Sequence, residues 1–300
     1  MSEPPPDLTS DYLALRREAG AVELPRDVLR VAGPDAFSFL QGQLSQDVDL
    51  PPGASAWSLL LQPQGKVVAL LRVLREDDDS FLLDTDGGWG DVVVERLQRY
   101  KLRVKCDITP LQWRCVAVRG PKARELAAGG EGLAAAADWP GLPGVDLLGE
   151  APAAPEGARR CSLDAYEAVR IEAGIPAMGR ELDERTIPAE AGVVERSVSF
   201  TKGCYTGQEL VARIDSRGGN VPRHLRGLVV ATNVLPPPGA VVRVDDRDVG
   251  NVTSVAESLD RRAPVALAYV GRAVSPPADA TLVWDGGSAP ARVEDLPLVS

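Results

Sequence analysis

A single histidine, His224, stands in 300 residues, and aromatic side chains make up only 5% of the chain. One histidine excludes a His-rich metal centre. It also leaves any Ser–His–Asp hydrolase dependent on a residue that follows Pro222 and Arg223, where it reads as an ordinary polar residue in a connection. Few aromatics mean few platforms on which nucleobases could stack, which argues against direct recognition of RNA. Positive charge is also short: 33 Lys and Arg against 43 Asp and Glu give a formal charge of −10. A broad nucleic-acid surface needs clustered cations to displace phosphate counterions, so it is excluded, while a local basic patch is not.

Long apolar runs are missing too. The nearest, Val67 to Leu74, is interrupted by Arg72, so no membrane helix is expected. The start, Met1-Ser2-Glu3-Pro4-Pro5-Pro6-Asp7, has neither an apolar signal core nor an arginine-rich transit pattern, which places the protein in the cytoplasm. The four cysteines, Cys106, Cys115, Cys161 and Cys204, are widely spaced without a Cys-x-x-Cys. Neither a disulfide framework nor a self-contained zinc or iron–sulfur site follows, and the thiols read as free.

What is present is ordinary globular material, 44% hydrophobic and 25% charged, in a length suited to two or three domains. Residues 1 to about 10 read as unstructured, Tyr12 to Ala19 as a short helix, and Val22 to Ala32 as a strand. Gly33-Pro34-Asp35 opens a helix with Phe37, Leu40 and Leu44 on one face. Ala56 to Leu61 and Lys66 to Arg75, joined by Gln62-Pro63-Gln64-Gly65, read as a hairpin. The Asp77-Asp78-Asp79 triplet lacks the spaced ligands of a calcium loop and reads as a solvated turn. Ser80 to Asp84 is a further strand. In Gly87 to Arg103, Val93, Leu97 and Tyr100 recur at helical spacing, with Asp91 placed to favour the positive end of the helix dipole. Trp113 to Arg119 reads as strand, Lys122 to Ala128 as helix, the Ala/Gly/Pro-rich stretch from Gly129 to Gly157 as loops and short elements on the surface, and Asp164 to Ala173 as helix. From Arg226 onward, short β-branched runs punctuated by Gly, Pro and Asp predict a small antiparallel barrel.

One stretch stands apart: Ser199-Phe200-Thr201-Lys202-Gly203-Cys204-Tyr205-Thr206-Gly207-Gln208-Glu209. Two glycines bracket Cys204, and allow a tight or positive-φ turn that displays the thiol. Lys202, two residues earlier, would favour the thiolate. The residues alone leave a second reading open, a structural turn with cysteine as a small apolar filler.

Lys202-Gly203-Cys204-Tyr205-Thr206-Gly207-Gln208-Glu209 resembles the signature of the YgfZ branch of the folate-binding GcvT-like proteins, a branch with a tRNA-modifying bacterial member and a mitochondrial iron–sulfur assembly relative. Arg170-Ile171-Glu172-Ala173-Gly174 resembles a motif that this branch shares with the aminomethyltransferases, and the likeness extends over nearly the whole chain. It implies an α+β fold: a three-domain ring of two mixed α+β domains and a C-terminal antiparallel β-barrel. The expected boundaries are 1–50 plus 111–222 for the folate-binding domain, 51–110 for an inserted domain and 223–300 for the barrel. The cofactor implied is tetrahydrofolate or a one-carbon derivative. Glu172 would grip the pterin edge through two charge-assisted hydrogen bonds, with Arg170, Tyr205, Gln208 and Asp91 also lining the site. Cys204 would be the reactive residue, with Lys202 and Asp91 as further catalytic candidates.

Asp91 falls where the aminomethyltransferases carry their catalytic aspartate. Arg96, Arg99, Lys101, Arg103 and Lys105, just beyond, would attract an anion such as a polyglutamate tail or merely solvate a helix face. The resemblance implies a folate-dependent accessory factor whose partners are iron–sulfur client enzymes, tRNA-modifying ones included, or assembly proteins. The alternative is an aminomethyltransferase or demethylase. Against it, the folate-contacting arginine of that family is replaced here by Gln208.

Overall fold

The computed structural model describes residues 7–299, and these fall into two compact units. One comprises the described residues up to Glu23, then 116–176 and 222–300; the other is 24–115 with 177–221. This division cuts the chain at other places than the expected boundaries, since 24–50 and 177–221 both fall with the segment expected as an insertion. No helix among the described residues is long and apolar enough to cross a membrane.

The first six residues lie outside the described ones, but the unstructured start expected up to residue 10 ends sooner. The helix Leu8–Arg17 begins at once, because the Asp7 side chain accepts from the Thr9 N–H and caps it. The single strand expected over 22–32 is two, Gly20–Leu24 and Arg26–Ala32, separated at Pro25 and belonging to different sheets. Proline has no N–H to give a ladder, and here the chain passes from one unit to the other.

In the first unit a mixed sheet runs in the order Arg159–Arg160, Gly20–Leu24, Arg114–Arg119, Gly144–Gly149, Leu133–Ala136. Its last two strands form an antiparallel pair inside the stretch read as surface loops and short elements without assigned strands. Alanine and glycine there carry little β-propensity; pairing and burial of Leu147 and Ala135 supply what the sequence pattern does not. From Arg223 the expected barrel follows: six antiparallel strands, Arg223–Val230, Val241–Val244, Arg247–Ser258, Ala263–Gly271, Ala278–Trp284 and Gly287–Glu294, close on themselves. Leu228, Val242, Val252, Ala266, Leu282 and Val293 fill the interior.

The second unit is built on an antiparallel sheet ordered Ser55–Leu61, Val67–Arg75, Ser80–Asp86, Arg26–Ala32, Asp107–Leu111. The hairpin predicted around residues 62–65 is its first pair. Arg72, which breaks the apolar run of the second strand, is fully buried. Its cross-strand neighbour is Asp84, and Arg72 Nε donates to Asp84 Oδ1 at 2.9 Å. Arg26 donates to the same carboxylate through Nε at 3.0 Å and to Asp86 Oδ1 at 2.6 Å. A charged row thus crosses a sheet otherwise made of Leu and Val, tolerable only because each charge is partnered.

Candidate functional site

The Cys204 turn belongs to the second unit and rests on the end of the helix Ala36–Gln43. Backbone hydrogen bonds from Ser199 N–H to the Ser45 carbonyl, 3.0 Å, and from Thr206 N–H to the Gly42 carbonyl, 3.1 Å, fasten both sides of the turn. Lys202 completes the attachment. Its Nζ donates to the carbonyls of Gln41 at 2.8 Å, Leu44 at 2.7 Å and Gln46 at 2.9 Å. The Gln41 and Leu44 carbonyls lie at the C-terminal end of the helix, where carbonyls lack an intrahelical donor and the dipole is negative, and Gln46 follows just beyond it. Burial nevertheless pushes the Lys202 ammonium down to about 8, with Asp47 opposing the shift. The expected activator of the thiol is therefore also a clamp, with all three of its protons on backbone oxygens.

Cys204 is exposed, whereas Cys106 and Cys115 are buried and Cys161 is half-buried. Tyr205 turns inward; its ring centre is 5.4 Å from Lys202 Nζ, and burial raises its phenol to about 12. Gln208 Oε1 accepts the Tyr205 N–H at 3.2 Å. Of the two glycines, only Gly207 takes a positive φ, +86°, as the residue before the helix Gln208–Asp215. A Cβ there would sit 2.5 Å from the Gln62 carbonyl, so the hairpin turn closes directly on the glycine. Gly203 is open to solvent and needs no unusual backbone.

Asp91 is exposed in the first turn of the helix Gly90–Tyr100. The N-cap residue is Trp89, and the N–H groups around the helix start are met from another strand by Asp27, its Oδ2 accepting from Gly88 at 2.8 Å and Gly90 at 2.7 Å. Among the basic residues that follow, Arg96 is tied to the protein itself: it donates to the Leu61 carbonyl at 2.7 Å and lies 4.1 Å from the Tyr100 ring centre.

Glu172 and Arg170 belong to the first unit, at the end of the helix Leu163–Glu172, which Ser162 caps. Arg170 bonds back to Glu167 through Nε at 3.0 Å and reaches Ser254 Oγ on the barrel at 2.9 Å, so it joins helix to barrel. Glu172 is fully buried. The Tyr12 phenol donates to its Oε1 at 2.6 Å, and Arg16 Nε stands 3.4 Å from its Oε2. Burial pushes the carboxyl up, against the opposing effects of Ser258, Tyr12 and Arg16. Burial also raises the Tyr12 phenol, and the adjoining Glu172 adds to that shift. Nothing local in the sequence marks Tyr12, Arg16 and Asp260 as neighbours of Glu172; a helix and a barrel loop converge on it from far along the chain.

A test of whether this centre suits a folate comes from Oε2. It is sealed from solvent and has no hydrogen bond of its own. A buried carboxylate oxygen without a donor is unfavourable, and a pterin N–H is the kind of group that would satisfy it. The expected two-bond grip requires more, because Oε1 already has the Tyr12 proton.

Comparison with known proteins gives matches at both ends of the chain. Residues 7–137 match the GCVT N-terminal domain, and residues 223–300 match the glycine cleavage T-protein C-terminal barrel domain. An aminomethyltransferase of Streptomyces avermitilis is 28% identical over 96% of this chain and 88% of its own length. The human protein named iron-sulfur cluster assembly factor IBA57, mitochondrial, is 33% identical, over 64% of this chain and 61% of its own. Among solved structures, the glycine cleavage system aminomethyltransferase T of Bartonella henselae superposes with a TM-score of 0.85 over 98% of this chain and 90% of its own, at 22% identity, a likeness of fold.

Proposed function

Because the chain belongs to the GcvT-like family, with that family's N-terminal domain and C-terminal barrel both present, we propose that it is a tetrahydrofolate-binding protein that supports assembly or repair of iron–sulfur clusters in client enzymes through Cys204. The observation that carries the reading is the contrast at the turn: the thiol is exposed while the backbone around it is fastened by Lys202 and two main-chain hydrogen bonds. A cysteine that only filled space would face inward, as Cys106 and Cys115 do. An exposed thiol on a rigid support suits contact with a cluster or a client, tRNA-modifying enzymes among them. The likeness to a protein named for iron–sulfur cluster assembly supports the same reading.

On the folate side, Glu172 would hold the pterin through Oε2, beside Tyr12 and Arg16. A bound folate supplies a one-carbon or redox-active carrier; the protein supplies a buried acceptor and a displayed thiol. The test has two arms. Cells carrying Cys204→Ala are expected to lose activity in iron–sulfur enzymes, while the purified variant binds tetrahydrofolate as wild type does in anaerobic calorimetry. Glu172→Ala is expected to lose the calorimetric signal. Normal iron–sulfur enzyme activity with Cys204→Ala would refute the thiol-centred role; unchanged binding by Glu172→Ala would refute the pterin contact.

A second reading, one-carbon transfer of the aminomethyltransferase kind, is favoured by Asp91, whose carboxylate is exposed at the start of a helix where it could serve as a base or stabilise a cationic intermediate. Under that reading Asp91→Asn abolishes turnover of an aminomethylated donor; under the first it leaves iron–sulfur maintenance intact.

A further inference from the structure

Within the second unit, three arginines surround one indole. The guanidinium carbons of Arg72, Arg26 and Arg196 lie 5.2, 5.8 and 5.8 Å from the ring centre of Trp57. Register explains two of them: Trp57 pairs with Arg72 across the sheet, Arg72 with Asp84, and Arg26 with Asp86, so their side chains share one sheet face. Arg196 comes to the same face from the short helix Val194–Ser197. Asp84 and Asp86 supply two negative charges against three positive ones. Both are already engaged: Asp84 accepts from Arg72 and Arg26, while Asp86 accepts from Arg26 through Oδ1 and from the Met178 N–H through Oδ2 at 2.9 Å.

Arg196 is the cation left over. It forms no salt bridge or hydrogen bond among the described residues, and its Nε is sealed from solvent without a partner. Burial pushes the group down to about 10, with Asp86 opposing. A desolvated guanidinium with an unmatched N–H is an unfavourable arrangement for a protein to keep, and one that an incoming anion would relieve. The residue is partly exposed even though Nε is not, so the fork is reachable from outside. We propose that Arg196, seated beside Trp57, is the recognition point of an oxyanion site that takes the carboxylate or phosphate group of a ligand. A planar fork of N–H donors matches both oxyanions, whereas chloride cannot span two donors in the same way. In a chain of net charge −10 such a locally cationic face is also where an anion would be directed. The site is independent of the folate reading, since it rests on none of the residues placed around Glu172.

The direct test is a nuclear magnetic resonance titration of the full chain that follows arginine Nε–H cross-peaks, with that of Arg196 assigned by its loss in Arg196→Lys. Sodium phosphate and sodium acetate are added in separate arms at constant ionic strength, with sodium chloride as reference. The Arg196 peak is expected to shift saturably with one or both oxyanions and not with chloride; the arm that responds at lower concentration identifies the class. In a parallel thermal-shift assay, Arg196→Gln is expected to weaken the oxyanion's apparent affinity at least about tenfold, as loss of a charge-assisted pair implies. A peak indifferent to both oxyanions, or the same saturable stabilisation in Arg196→Gln, overturns the proposal. Should Arg196→Gln fail to fold, the wild-type titration decides alone.

Discussion

Replacing Lys202 by methionine removes three hydrogen bonds with one change and keeps most of the aliphatic stem. The donors reach the carbonyls of Gln41, Leu44 and Gln46 at 2.7–2.9 Å. Deleting a hydrogen bond from a charged donor costs about 1.5–3 kcal/mol. The three share one ammonium and so do not add; the half-buried ammonium also loses hydration when folded, which offsets part of the gain. The net cost is set at roughly 2–4 kcal/mol. At about 2–4 °C per kcal/mol, the melting temperature should fall by roughly 4–16 °C in circular dichroism. The pH dependence gives a second signature. The folded ammonium titrates near 8, below the ordinary value of 10.5. The unfolded chain therefore binds this proton more tightly, and wild-type stability gains a component as pH rises from about 8 to 10.5 that is lost again as pH falls. Lys202→Met should lack that component. Cleavage by a protease within 199–207 should accelerate in the variant, because the same clamp holds the Cys204 turn. A variant that melts within 1 °C of wild type, with an unchanged alkaline profile, would falsify the clamp.

Three further outcomes follow from the same geometry. Glu172 has a raised folded pKa, so the folded state holds the proton more tightly; stability is greatest below the ordinary 4.5 and is lost as pH rises through the folded value. Glu172→Gln, which cannot ionise, should not show that acidic-range decline in melting temperature; a parallel decline in both proteins rejects the assignment. Asp84→Asn leaves two buried guanidiniums short of a counter-charge and should cost about 3–5 kcal/mol in urea unfolding; a cost below 1 kcal/mol contradicts the buried pairing. Gly207→Ala forces a side chain onto a φ of +86° and a Cβ to within 2.5 Å of a carbonyl. It should destabilise by more than the ~1 kcal/mol of an ordinary left-handed glycine, and an alanine variant as stable as wild type would mean the hairpin turn is free to move away.

Local pattern was enough to place most elements. Alternation and turn residues marked the 62–65 hairpin and the six barrel strands, because each needs only its own few residues to declare a period and a stop. Helices at 36–43, 90–100 and 163–172 were legible in the same way. The Ala-rich pair Leu133–Ala136 and Gly144–Gly149 was not, since small residues become strand only when a neighbouring strand offers its ladder.

The chain alone therefore determined most of its element types and the scarcity of histidine and basic charge, and it left open whether Cys204 is displayed or fills space; the fold exposes it. Tertiary structure decided what the charged groups do. Lys202 is a clamp on the end of a helix, Arg72 is a buried partner of Asp84, and Asp27 rather than Asp91 accepts from the first N–H of the helix Gly90–Tyr100. Glu172 is enclosed by Tyr12 and Arg16 from another helix, and Arg196 is left over beside Trp57. The physical reason is common to all five. Backbone periodicity is set by neighbours in sequence, whereas the partner of a buried charge is set by proximity in space, and chain folding brings together residues whose separation along the sequence carries no signal.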